Sequence, residues 1–243
     1  CTMFTYTEWN LGALVGDVKM QSYRAQKLSD QILYTDNHLL AINKPGGMLT
    51  QASGQHELNL EDWAREWIRV EKNKPGAVFL HAVHRLDRPV SGVVLFARTS
   101  KALSRLNESM RNARSGKIYH AWVEGVPEQQ KGTCTDYLIH GNHRAELATE
   151  REPDAKKAVL RYTVLRAKSD QALLEIELIT GRYHQIRVQL SGLGCPIKGD
   201  SRYGAKKGDG TIGLHHKQLT IEHPVKHEQL KINAPLPAEM RWD

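Results

Sequence analysis

The run His84-Arg85-Leu86-Asp87-Arg88-Pro89-Val90-Ser91-Gly92 sets one carboxylate between two arginines, in a segment punctuated by Pro and Gly. Cations that close favour the charged form of an acid, so the run predicts an Asp87 that stays ionised well below neutral pH. An ionised carboxylate can act as a nucleophile or stabilise a cationic transition state. The flanking arginines can hold phosphates. The same residues would also make an ordinary surface ion pair, which contributes little. A second group, Thr180-Gly181-Arg182-Tyr183-His184-Gln185-Ile186-Arg187, brings Arg182, His184 and Arg187 to a predicted helix start. Backbone N–H groups and the helix dipole favour phosphate there. Arg187 lies between Ile186 and Val188, near the apolar boundary, where an arginine usually pairs with a carboxylate. In a third group, Lys117 to Gly125, strand alternation puts Tyr119, Ala121 and Val123 on one face. Tyr119 could stack on a base or relay a proton, or simply fill a core. His81, His84 and Asp87 invite a metal reading, but histidines three apart share a metal on a helix. The Val and Pro content here predicts no helix, and no HExxH or Cys/His pattern supports a metal.

These groups need elements to hold them. Arg88 precedes Pro89 and is expected to be extended. That leaves Asp87 on a loop just before a buried strand at 90–97. Strands are expected at 32–34 and 39–42, ended by Lys44-Pro45-Gly46-Gly47, and at 117–125, 157–167, 171–179 and 214–222. Leu60, Trp63, Ala64, Trp67 and Ile68 recur at helical spacing over 59–71, and that spacing makes the two tryptophans core residues. Thr99 or Ser100 caps a second helix with Ala102, Leu103, Leu106 and Met110 inside. A third helix is expected over 183–193, stopped by Gly194. Strands run in clusters without regular βαβ alternation, which predicts an α+β fold on a largely antiparallel sheet.

The chain has 243 residues, 40% of them hydrophobic and 25% charged, with a formal charge of +7. The charge suits a polyanion such as nucleic acid, or merely a solvated basic surface. Cys1, Cys134 and Cys195 form no CxxC pair, which argues against a disulfide framework or a zinc site and fits a reducing compartment. No apolar run is long enough to span a membrane, and no signal-peptide pattern opens the chain. Residues 1–30 are expected to be an N-terminal extension and 31–243 one catalytic domain.

Six segments together resemble the RluA-type RNA pseudouridine synthases. The family's HRLDxxTSG motif is matched by residues 84–92, with Val90 where Thr is usual. NKPxG is matched by Asn43 to Gly47, KxYxAxVxG by 117–125, GRxHQIR by 181–187, GDxxYG by Gly199 to Gly204, and LH…HP by Leu214-His215 and His223-Pro224. Any one motif is modestly specific; six in family order are very specific. The resemblance implies the pseudouridine synthase fold, a mixed and mostly antiparallel sheet with flanking helices and a central active cleft. Many relatives carry an S4 domain in front, and residues 1–30 lack its pattern.

The implied reaction is isomerisation of uridine within tRNA, large-subunit rRNA or both, with no cofactor and no metal. Asp87 would be the essential group, attacking C1′ or deprotonating C2′. Tyr119 would stack on the target base and take the C5 proton, and Arg187 would pair with Asp87. Arg85, Arg182, His184 and Lys44 are the expected RNA contacts, with Arg85 as wedge or phosphate clamp for a flipped uridine. A cytoplasmic monomer is the expected state. The competing class is a non-catalytic RNA-binding protein on the same fold.

Overall fold

Continuous apolar runs belong to strands covered on both faces, and two such runs form neighbouring strands toward one end of the sheet. In β2 (Leu39–Lys44), Leu40 and Ile42 enter one core while Leu39 and Ala41 enter another. In β4 (Ser91–Ala97), Val94 and Phe96 join the first core, and Val93, Leu95 and Ala97 the second. The computed structural model describes residues 28–54, 59–73, 75–112 and 115–240. A helix covers each face. Helix α1 (Leu60–Glu71) starts at Asn59, whose side chain accepts from the Asp62 N–H, and buries Trp63 and Trp67 in the first core. Helix α2 (Ser100–Arg111) is capped by Thr99 and puts Ala102 and Leu106 in the second.

Among the described residues the sheet has eleven strands. Besides β2 and β4 they are β1 (Ile32–Thr35), β3 (His81–Ala82), β5 (Gly116–Glu124), β6 (Lys131–His140), β7 (Ala145–Ala148), β8 (Lys156–Lys168), β9 (Gln171–Leu178), β10 (Leu214–Glu222) and β11 (Gln229–Asn233). The order is β1-β2-β4-β10-β5-β9-β8-β6-β7, with β3 on β4 and β11 on β10. Only β4 and β10 pair in parallel; the other named pairs are antiparallel. The expected α+β class holds.

The expected strands and helices are present, within a few residues of their predicted ends. The third helix, α3, is shorter than expected, Gln185–Gly192, because Tyr183 and His184 belong to the turn that enters it. Gly194 stops it at φ +78°. Four strands went unpredicted: β3, β6, β7 and β11. They are short or carry polar residues on both faces, so pairing with neighbours and not apolar alternation makes them strands. The expected extension 1–30 lies outside the described residues except for its end. There Leu28 is fully buried and Ser29 accepts from Trp67 Nε1 at 3.1 Å, so residues 28–30 pack with the domain.

One glycine decides how the site is assembled. At Gly92 (φ +113°), an added Cβ would lie 2.3 Å from the His216 carbonyl oxygen. Only glycine lets β10 approach β4 this closely, five residues after Asp87.

Candidate active site

Asp87 sits on the loop between β3 and β4, as expected. The loop is tied to the segment after β2 by reciprocal bonds. The Leu86 N–H donates to Thr50 Oγ1 at 3.1 Å, and the Thr50 hydroxyl donates back to the Leu86 carbonyl at 3.0 Å. Gly47 N–H donates to the Arg88 carbonyl at 2.8 Å, and Arg88 Nε donates to the Gly47 carbonyl at 3.1 Å. Lys44, fully buried, donates to the carbonyls of Pro45, Met48 and Arg88 at 3.0, 2.8 and 3.2 Å. Burial pushes its ammonium down to about 7 against the pull of the Asp87 charge. The RNA contact expected of Lys44 is therefore corrected: it has no surface to offer, and it works as a clamp beneath the Asp87 loop. Val90, which lacks the usual hydroxyl, packs into the first core at 3% exposure.

The opposite wall comes from α3 and the turn Ser201–Tyr203. Arg187 gives Nε and Nη2 to Asp200 at 2.7 and 2.8 Å, a bidentate fork between two buried side chains. Its Nη1 donates to Asp87 Oδ2 at 3.0 Å and to His184 Nε2 at 2.8 Å. Burial opposes the Arg187 charge, but the bonds and charges of Asp200 and then Asp87 raise its pKa above the ordinary value. A guanidinium can only donate, so His184 Nε2 accepts and Nδ1–H faces the Tyr203 oxygen at 2.8 Å. Burial first, with help from Arg187 and Arg202, holds His184 down to about 4 although Asp87 opposes the shift. Its 3.3 Å approach to Asp87 is thus a contact of a neutral ring. The expected RNA contact for His184 is also corrected, since both ring nitrogens are engaged inside the protein. Its backbone is left-handed at φ 51°, a conformation found more often for His than for most residues.

Between the walls lies a cavity of about 920 Å³, lined among others by Asp87, Tyr119, Arg187, Arg85, Arg182 and Lys117. Tyr119 is 7% exposed, with His216 stacked on it at 4.4 Å and 14°, so a base has only the other face to use. Burial, then the Asp87 charge, raises the Tyr119 phenol well above its ordinary pKa. Arg85 is exposed beside Asp87, and Arg182 is exposed with Nε on the Lys157 carbonyl at 3.1 Å.

The structure therefore joins Asp87, Tyr119 and Arg187, keeps Arg85 and Arg182 at the opening, and takes Lys44 and His184 inside. Asp200, Tyr203, Thr50 and Lys117 had no role in the sequence reading. The first two stood within the GDxxYG match, where a Gly-bracketed acid was the available signal. Thr50 carried none. Among the described residues no group of three His, Cys, Asp or Glu side chains is placed to hold a metal ion, and no helix is long and apolar enough to cross a membrane.

Comparison with known proteins points to one family. The family described as RNA pseudouridylate synthase matches residues 38–192. The uncharacterized RNA pseudouridine synthase YjbO of Bacillus subtilis is 34% identical over 217 residues, which is 89% of this chain and 76% of that protein. Ribosomal large subunit pseudouridine synthase C of Vibrio parahaemolyticus is 31% identical over 228 residues, 89% of this chain and 69% of that protein. The solved structure of human RNA pseudouridylate synthase domain containing 4 superposes with a TM-score of 0.79 at 27% identity, covering 91% of this chain and 94% of that one.

Proposed function

We propose, from the premise that the chain belongs to the RNA pseudouridylate synthase family and is an isomerase of uridine in RNA, that Asp87 drives the reaction on large-subunit ribosomal RNA. The carrying observation is the 3.0 Å pair between Asp87 and Arg187, groups 100 residues apart that meet in the cavity Tyr119 also lines.

The reaction breaks N1–C1′, turns the uracil and joins C5 to C1′. Asp87 either attacks C1′ or takes the C2′ proton; both use the carboxylate that Arg187 orients. Tyr119 holds the base on the face opposite His216 and takes part in removing the C5 proton. Arg85, on the loop that carries Asp87, occupies the place of the flipped uridine or clamps its phosphate. Arg182 adds a phosphate contact on the far side. Leaving the stack costs a few kcal/mol and costs least in loops and bulges, so a structured single-stranded loop is the target.

The similarity to a large-subunit pseudouridine synthase favours ribosomal RNA, with tRNA as the other substrate the same experiment reads. The enzyme works as a cytoplasmic monomer. A merely RNA-binding role has no use for a carboxylate, a guanidinium and a phenol gathered at one point. Pseudouridine mapping of total RNA with and without the gene is the test. Loss of one or a few sites in large-subunit RNA is expected; an unchanged map sinks the proposal, and loss confined to tRNA moves the substrate.

A further inference from the structure

Among the described residues that line the cavity, Lys117 is a largely buried cation with no counter-ion. Lys117 lies in β5 two residues before Tyr119, so the two side chains leave the same face of the strand. It lines the cavity with Asp87 and Arg187. Its Nζ is 3.8 Å from where a Cβ on Gly181 would stand. Among the described residues no carboxylate pairs with it and no carbonyl accepts from it. Lys44, by contrast, is surrounded by three carbonyl oxygens, and Arg187 spends its donors on Asp200, Asp87 and His184. Lys117 is largely desolvated, which lowers its pKa. Its field also helps keep the neighbouring His84 and His216 neutral, after burial.

A desolvated cation without a counter-ion is a cost in the resting protein. The cost is recovered if negative charge forms beside it during the reaction, and interactions stronger in the transition state than in the ground state are the ones that raise a rate. Heterolysis of N1–C1′ makes such a charge. The bonding pair stays on the uracil, spread over N1 and its carbonyl oxygens, while C1′ is relieved by bonding to Asp87 or by loss of the C2′ proton. We infer that Lys117 is a further catalytic residue, which holds a carbonyl oxygen of the detached uracil anion through its turn. Rotating uracil by 180° about its N3···C6 axis exchanges N1 with C5 and O2 with O4. A fixed ammonium therefore meets one carbonyl oxygen before the turn and the other after it. Lys117 keeps its proton throughout; as C5 bonds to C1′, the Asp87–C1′ bond breaks or Asp87 returns the C2′ proton, and the proton that C5 loses is matched by one gained at N1, so atoms and charge balance. Exposed arginines at the opening, Arg85 and Arg182, are better placed for phosphates, which need no desolvated partner.

The inference rests on the isomerase reading above, and the test separates the two. The probe is a transcript containing the uridine that the wild-type enzyme converts in total RNA. If the wild-type enzyme converts no uridine, the functional reading fails before Lys117 is altered. Lys117→Met is expected to lower the single-turnover rate constant at saturating RNA by about 100- to 1,000-fold, the range for loss of one charge-stabilising donor, with transcript Kd within about threefold. Lys117→Arg should restore much of that rate. It should also move the alkaline limb of the pH–rate profile to higher pH, because a guanidinium keeps its proton where a desolvated ammonium loses it. A Lys117→Met enzyme with weakened RNA binding and a wild-type saturating rate overturns the inference in favour of a phosphate contact. Wild-type rate and affinity together overturn it outright. If Lys117→Met does not fold, the Lys117→Arg profile decides, and an unmoved alkaline limb overturns the inference.

Discussion

The two walls of the cavity are built from different materials. The Asp87 wall is backbone work: Thr50 with Leu86, Gly47 with Arg88, and Lys44 beneath them fix a loop through main-chain donors and acceptors. The Arg187 wall is side-chain work: Asp200 and His184 hold one guanidinium by its edges, and Tyr203 lies beneath it and meets His184 through its hydroxyl. Ties to a loop's main-chain groups, here from Thr50, Lys44 and Arg88 side chains and the Gly47 N–H, place an atom firmly whatever side chain the loop residue carries. A side-chain network sets charge and direction together, and it fails as a unit when one member leaves. A reactive carboxylate has to be fixed in position, while the cation beside it has to be fixed in orientation. Each wall uses the means that suits its task.

The largest effect should come from the point where the walls meet. Asp87→Asn keeps the shape and removes the charge, and turnover of an RNA substrate is expected to fall about 10,000-fold or more, as when an essential nucleophile is lost. RNA binding measured alongside should persist; substantial residual pseudouridine would detach Asp87 from the chemistry.

Asp200→Ala attacks the side-chain wall alone. It leaves a buried guanidinium half unpaired, which costs about 3–5 kcal/mol of stability and lets Nη1 swing from Asp87. Urea unfolding and the single-turnover rate should both fall. A loss of stability without loss of rate would show that Asp87 needs no oriented cation.

Thr50→Val attacks the backbone wall. It removes both bonds to Leu86 and leaves two buried main-chain groups unmet, so about 1–3 kcal/mol of stability is expected to go. The rate should fall less than for Asp200→Ala, because Gly47 and Lys44 still hold Arg88. An equal or larger loss of rate would reverse the contrast between the walls.

The smallest and broadest effect is acid sensitivity. Burial holds His184 and His215 down to about 4 and His216 to about 3. An unfolded chain binds protons at these histidines from about pH 6.5 downward while the folded one does not, so stability declines as pH falls from there toward 4. Asp200→Ala removes a carboxylate that favours the charged form of His184, so it should carry the decline to lower pH, whereas Thr50→Val should leave it unchanged. Denaturant midpoints across pH 4–7 provide the check.

The legibility of the two walls differs in the same way. Asp87, Tyr119 and Arg187 stood out in motifs, and the strand after Asp87, the strand that carries Tyr119 and the strand that leads to Arg187 followed from local pattern. Lys44 and His184 were misjudged because a basic residue type predicts a surface, and only their neighbours reveal otherwise. Lys44 meets carbonyls on both sides of the loop it clamps, and His184 lies under Tyr183 at 3.9 Å. The arginines flanking Asp87 offered it a local cation, while the family resemblance implied Arg187; it is Arg187 that pairs with it, from across the cavity.

By itself the sequence determined the elements and the chemistry in reach: apolar runs that must be covered, caps that start helices, and an acid, a phenol and a guanidinium. Those follow from residue type and short-range spacing, which local sterics and solvation decide. Only the tertiary structure decided which charge answers which. Thr50 reaches Leu86 across 36 residues, Arg187 reaches Asp87 across 100, and Ser91 reaches His215 across 124. Such pairings depend on the order in which strands join the sheet, and that order is settled by the packing of both cores together.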